Sequence, residues 1–144
     1  MSHEFWVRVV CAWSQHCVTC HPCVLQTRDG EGLLLYAFGS QGDYMALELV
    51  AGGLVFVVDA GGGRRIFRIG SDLDDNRWHS VRLKQTGEQT IEFKVDNELL
   101  RKDLSSPGHT VDLNSLLFVG GVTSSMYKSL PNHISSRKSF AGRI

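Results

Sequence analysis

The strongest constraint on how this chain folds is a repeated alternation of apolar and polar residues, cut at short intervals by glycine. "DYMALELV" sets Met45, Leu47 and Leu49 on one side and Tyr44, Ala46 and Glu48 on the other. "RWHSVRLKQTG" divides Trp78, Ser80, Arg82 and Lys84 from His79, Val81 and Leu83, and "TIEFKV" places Ile91, Phe93 and Val95 opposite Glu92 and Lys94. Side chains alternate sides with period two only in a strand, so each run reads as a strand with one buried face. "GLLLYAF" (Gly32–Phe38) is a short apolar run bounded by Gly39-Ser40-Gln41-Gly42, consistent with a buried strand. Gly52-Gly53 leads into "LVFVVDA", Gly61-Gly62-Gly63 into "RRIFRIG", Asp96-Asn97 into "ELLRKDL", and "NSLLFVGG" supplies one more strand. Strands recurring about every 8–12 residues with turns between them indicate an all-β sandwich or barrel. No helix, internal repeat or low-complexity linker stands out.

The 144 residues suffice for one domain with a real core. Lys plus Arg and Asp plus Glu are 15 each, and a neutral chain lacks the charge that nucleic-acid binding draws on. No apolar run reaches the roughly 18 residues of a transmembrane helix, so no membrane insertion is expected of this segment. The opening "MSHEFWVRVVCAW" does not read as a signal peptide.

Residues 1–23 lack this texture and are expected to be either an irregular Cys/His-rich leader or a stretch not native to the domain that follows. All four cysteines, Cys11, Cys17, Cys20 and Cys23, lie there, and Cys17-Val18-Thr19-Cys20-His21 matches a c-type haem attachment pattern. Haem needs a second axial ligand, and the downstream strands offer no obvious one. Zinc held by Cys17, Cys20 and Cys23 with Cys11 or His21, disulfides in an oxidising compartment, and unpaired thiols all remain open.

Taken in order, "TRDGEGLLLYA", "GDYMALELVAGGLVFVVDAG", "LDDNRWHSVRL", "FKVDNELL" and "LLFVGG" resemble a laminin G-like (LNS) domain from about Val24 to Ile144. Such modules occur in laminin, agrin, neurexins and contactin-associated proteins, and the neurexin-type and contactin-associated branch looks nearest. The resemblance implies a lectin-like, concanavalin-like antiparallel β-sandwich of two curved sheets. It also implies an extracellular recognition and adhesion module, in a secreted protein or the ectodomain of a membrane protein, that binds a cell-surface or matrix protein at the sandwich rim and is not an enzyme. The chain departs from the family in two places. "HPCVLQTRD" keeps only the end of the usual opening strand, and "SFAGRI" puts Arg143 where relatives carry a disulfide cysteine. Residues 24–144 are therefore expected to form a variant domain lacking its last strand.

Many relatives hold one Ca²⁺ at the rim. By position, the resemblance assigns its side-chain ligands to Asp43 and Asp112 and its carbonyl ligands to Ala60 and Thr110, an all-oxygen set suited to a hard cation. The reading without a metal makes both aspartates turn residues. The alternative function is binding of heparin or heparan sulfate through Arg64, Arg65 and Arg68, joined by Arg137, Lys138 and Arg143. The resemblance gives Trp78 a place in the core and His79 a structural role beside Val81 and Leu83. A glycoside-processing enzyme is the remaining alternative. It would need paired carboxylates about 5–5.5 Å apart if retaining, whereas Glu48 stands alone on its strand and 72–75 is a turn.

Overall fold

The computed structural model describes residues 11–14, 17–20, 23–59, 63–85, 90–103, 113 and 115–144. Their strands are β1 (Cys11–Ser14), β2 (Cys17–Cys20), β3 (Cys23–Thr27), β4 (Gly32–Phe38), β5 (Tyr44–Val50), β6 (Gly53–Asp59), β7 (Arg64–Ile69), β8 (His79–Gln85), β9 (Thr90–Val95), β10 (Glu98–Asp103), β11 (Phe118–Val119) and β12 (Gly142–Arg143). The only helical element among the described residues is a 3-10 turn at Met126–Ser129. Every strand pairing is antiparallel. One sheet runs β11-β4-β5-β6-β7. In the other, β8 pairs with β2 and β3 along one edge and with β9 along the other, while β10 extends β9 and β12 extends β3. The fold is the antiparallel β-sandwich that the alternation indicated.

Turn chemistry sets the registers. Val50 pairs with Gly53 across Ala51 and Gly52, whose φ values of 48° and 75° describe the two-residue turn that matches strand twist. Val95 pairs with Glu98 across Asp96-Asn97, with Asp96 at φ 51°, as "VDNE" suggested. Glycine is required at Gly32 for want of space, since a Cβ there would lie 2.7 Å from Phe140 Cα.

Between the sheets lies a core that includes Leu34, Leu47, Leu49, Leu54, Phe56, Phe67, Ile69, Val81, Leu83, Phe93 and Phe140. Phe56 stacks on Phe67 and meets Phe93 edge-on. A second cluster occupies the other face of the five-stranded sheet: Leu33, Tyr36, Tyr44, Ala46, Val55 and Val57, closed over by Leu130 and Ile134.

That cover corrects the one-sided reading of "DYMALELV": both faces of β5 are buried. Glu48 is 1% exposed, and its carboxylate accepts the Ser135 and Ser136 amides at 3.1 and 3.0 Å. A second correction concerns Trp78. It is 52% exposed and not packed in the core, because it lies on the outward side of the chain entering β8, where His79, Val81 and Leu83 take the inward positions.

Candidate functional site

Three chain segments meet at one rim of the sandwich. Tyr44, the first residue of β5, pairs with Phe38 of β4 on one side and Asp59 of β6 on the other. The Gly39 amide donates to the Asp43 carbonyl at 2.7 Å, closing the β4–β5 loop. The third segment arrives through Ser115, whose amide donates to the Phe38 carbonyl at 2.9 Å and whose hydroxyl accepts the Phe38 amide at 2.9 Å. Asp43 therefore stands where the chain neighbouring residue 60 and the chain following residue 112 converge. Asp43 is 7% exposed and engaged within the protein.

The other residues expected at a calcium site, Ala60, Thr110 and Asp112, lie outside the described residues. Among the described residues no three His, Cys, Asp or Glu side chains cluster as metal ligands do. A set of two carboxylates and two carbonyls would not form such a cluster, and its all-oxygen chemistry suits a hard cation.

The same rim carries apolar side chains that the sequence reading missed. Leu116 is 80% exposed, and Phe38 is also exposed while stacking on Phe118, with ring centroids 6.5 Å apart. Tyr36 packs against both rings. Phe38 and Leu116 end or begin apolar runs, and a run alone does not reveal which terminal member clears the core. Burial pushes the Tyr36 and Tyr44 hydroxyls up from their ordinary pKa of 10.0.

Of the six basic residues grouped for glycan binding, Arg143 lies on β12 opposite Gln26 and the other five fall into two sets. Arg64, Arg65 and Arg68 lie on β7, with Arg64 opposite Asp59 at one end and Arg68 opposite Val55 towards the other. The Arg68 guanidinium donates to the Val50 carbonyl at 2.8 Å. Arg137 and Lys138 belong to the covering segment. The Arg137 guanidinium donates to the Ile134 carbonyl at 2.7 Å and the Pro131 carbonyl at 3.2 Å. Lys138 meets the Asp29 carboxylate at 2.7 Å, which holds that carboxyl below its usual value.

His79 is a structural clasp. Its Nδ1 lies 2.8 Å from Asp96 Oδ2 and its Nε2 2.9 Å from Asp75 Oδ1. Burial pulls its pKa down, but the hydrogen bonds and charges of Asp96 and Asp75 outweigh that and raise it above 6.5. The His79 contact in turn lowers the Asp75 pKa. Carboxylates on both ring nitrogens satisfy the doubly protonated ring and leave no nitrogen to take a substrate proton.

A family model described as the laminin G domain matches residues 25–144. Over 119 residues, 81% of this chain, the sequence is 35% identical to Neurexin 1 of Drosophila melanogaster and 31% identical to Neurexin-2 of Mus musculus. Those matches span only 6% and 7% of the two relatives. Among solved structures, the mouse laminin alpha1 chain domains LG4-5 align with a TM-score of 0.72 and 24% identity, over 84% of this chain and 32% of that one. The LG1-3 region of the laminin alpha2 chain aligns with a TM-score of 0.75 and 17% identity, over 94% of this chain and 27% of that one. At these identities the structural matches speak for the fold alone.

Proposed function

The chain belongs to the laminin G domain family, and from that premise we propose that it is an extracellular recognition and adhesion module that binds a protein ligand at the β4–β5 rim. The supporting observation is Phe38 and Leu116, exposed on a rim whose backbone is fixed by Phe38–Ser115 and Gly39–Asp43 hydrogen bonds. Large apolar side chains held on a rigid frame are what a protein partner desolvates. Residues 24–144 form the module, acting in a secreted protein or the ectodomain of a membrane protein.

Ca²⁺ would sit beside these residues, held by Asp43 and Asp112 side chains and the Ala60 and Thr110 carbonyls, and would order the rim loops. The convergence of all three chain segments on Asp43 supports this assignment. Calorimetric calcium titration tests it: heat for the wild type and none for Asp43→Ala is expected, and equal heats remove the site.

The module is a binder and not an enzyme on this reading. Glu48, the carboxylate a glycosidase reading would start from, is 1% exposed and each of its oxygens accepts a backbone amide. Heparan sulfate binding narrows to Arg64 and Arg65 on β7, because Arg68, Arg137 and Lys138 are committed to local contacts. Retention on immobilised heparin beyond that on a plain cation exchanger, lost in Arg64→Ser/Arg65→Ser, would establish it; equal retention on both would end it.

A further inference from the structure

The five-stranded sheet has its outer face covered over β4, β5 and β6, whereas among the described residues the outward side chains of β8, β9 and β10 in the seven-stranded sheet are not covered. On β8 the outward residues are Ser80, Arg82 and Lys84, on β9 Glu92 and Lys94, and on β10 Leu99 and Arg101. Register sets them in two rows. One row reads Lys84, Glu92, Arg101, alternating in sign, and its Glu92 carboxylate is taken by the Arg101 guanidinium. The other reads Arg82, Lys94, Leu99 and has two cations directly opposite each other.

Neighbouring strands are about 4.8 Å apart, and like charges directly opposite destabilise a sheet. Glu92, two residues along the same face from Lys94, is taken by Arg101. Among the described residues, the side chains of Arg82, Lys84 and Lys94 make no hydrogen bond or ion pair, and Asp96 is already used by His79 and the Ser80 amide. Three large apolar side chains share the exposed surface: Leu99 at 55%, Trp78 at 52% and Val24 at 47%. Val24 pairs with Ser80 and Leu99 with Lys94, so apolar groups flank the cations on both sides.

We propose that this open face is a second docking surface, which takes an acidic protein surface bearing apolar residues. Carboxylates of the partner would separate Arg82 from Lys94, and its apolar groups would cover Leu99 and Trp78. A second copy of the chain is disfavoured, because it would set the same cations against one another. A sulfated polysaccharide would satisfy the charges but leave Leu99 and Val24 with nothing to cover them. The surface belongs to the sheet opposite the rim, so both could be engaged at once.

The test uses the whole chain and a fluorescein-labelled peptide rich in Glu, Leu and Trp, followed by polarisation, with a heparin oligosaccharide in a parallel titration. Arg82→Ser/Lys94→Ser is expected to weaken the peptide by about tenfold, and Leu99→Ser by about fivefold. A separate readout needs no ligand: Arg82→Glu makes an opposite-charge pair with Lys94 and is expected to raise Tm. Peptide affinity unchanged in these variants, or a Tm lowered by Arg82→Glu, overturns the proposal. It also falls if heparin binds more tightly than the peptide, depends on Arg82 and Lys94, and ignores Leu99.

Discussion

Replacing Glu48 by methionine should detach the segment that covers the outer face of β5. The carboxylate accepts the Ser135 and Ser136 amides, the second of which is wholly buried. Methionine keeps the length and bulk of the side chain and accepts neither bond. Each buried donor left without a partner costs about 1–3 kcal/mol. Ser135 lies near the surface and can recruit water, and the variant no longer bears the cost of dehydrating a carboxylate, so the expected loss is about 2–4 kcal/mol. That is a large share of the roughly 5–15 kcal/mol that holds a domain together. Glu48→Gln keeps one acceptor and turns an amide group towards the other donor, for a loss of about 1–3 kcal/mol. Urea unfolding followed by circular dichroism measures both, and hydrogen exchange should show Ser135 and Ser136 losing protection before the sheet does. A methionine variant as stable as the wild type, with those amides still protected, would refute the assignment of Glu48 as the anchor.

Three further outcomes follow from the structure. His79 has a raised pKa, so its clasp contributes stability that is full below about 6.5 and is lost as pH rises through the higher folded value; the Tm of the wild type should fall over that range relative to His79→Gln. Asp75 has a lowered pKa, so its contribution is present above 3.8 and disappears as pH falls through the lower folded value, which Asp75→Asn should abolish in an acid titration of Tm. Ala51 holds φ 48° in the β5–β6 turn, and Ala51→Asn should gain about 1 kcal/mol by thermal melting, since asparagine adopts that conformation with less strain.

The alternation in "DYMALELV" and in "RWHSVRL" is equally clear, yet the two strands end in different surroundings. Period two states which side chains share a face; it does not state how many faces are covered. β5 is covered twice because the segment around Leu130 and Ile134 folds back over Tyr44 and Ala46, and that segment has no period of its own to announce it. The hairpin at Asp96-Asn97 was legible because its turn chemistry is local, and β4 was legible because its apolar run is bounded by glycines. Glu48 looked like an isolated surface acid because its partners lie 87 and 88 residues away. Asp43 was singled out only through the family pattern, and Phe38 and Leu116 were hidden at the ends of apolar runs.

The same distinction separates the two faces by function. Where a chain segment covers a sheet, the polar group beneath it must be satisfied from inside, and Glu48 is satisfied by two amides. Where the sheet stays open, water can screen charges, and selection for stability alone favours alternating signs, as in Lys84, Glu92 and Arg101. Arg82 beside Lys94 breaks that arrangement on the open sheet and beside exposed leucine and tryptophan. A local conflict without a local remedy is where a partner's charge has the most to contribute. Arg82→Glu therefore separates the two pressures: it should strengthen the fold and weaken the docking surface.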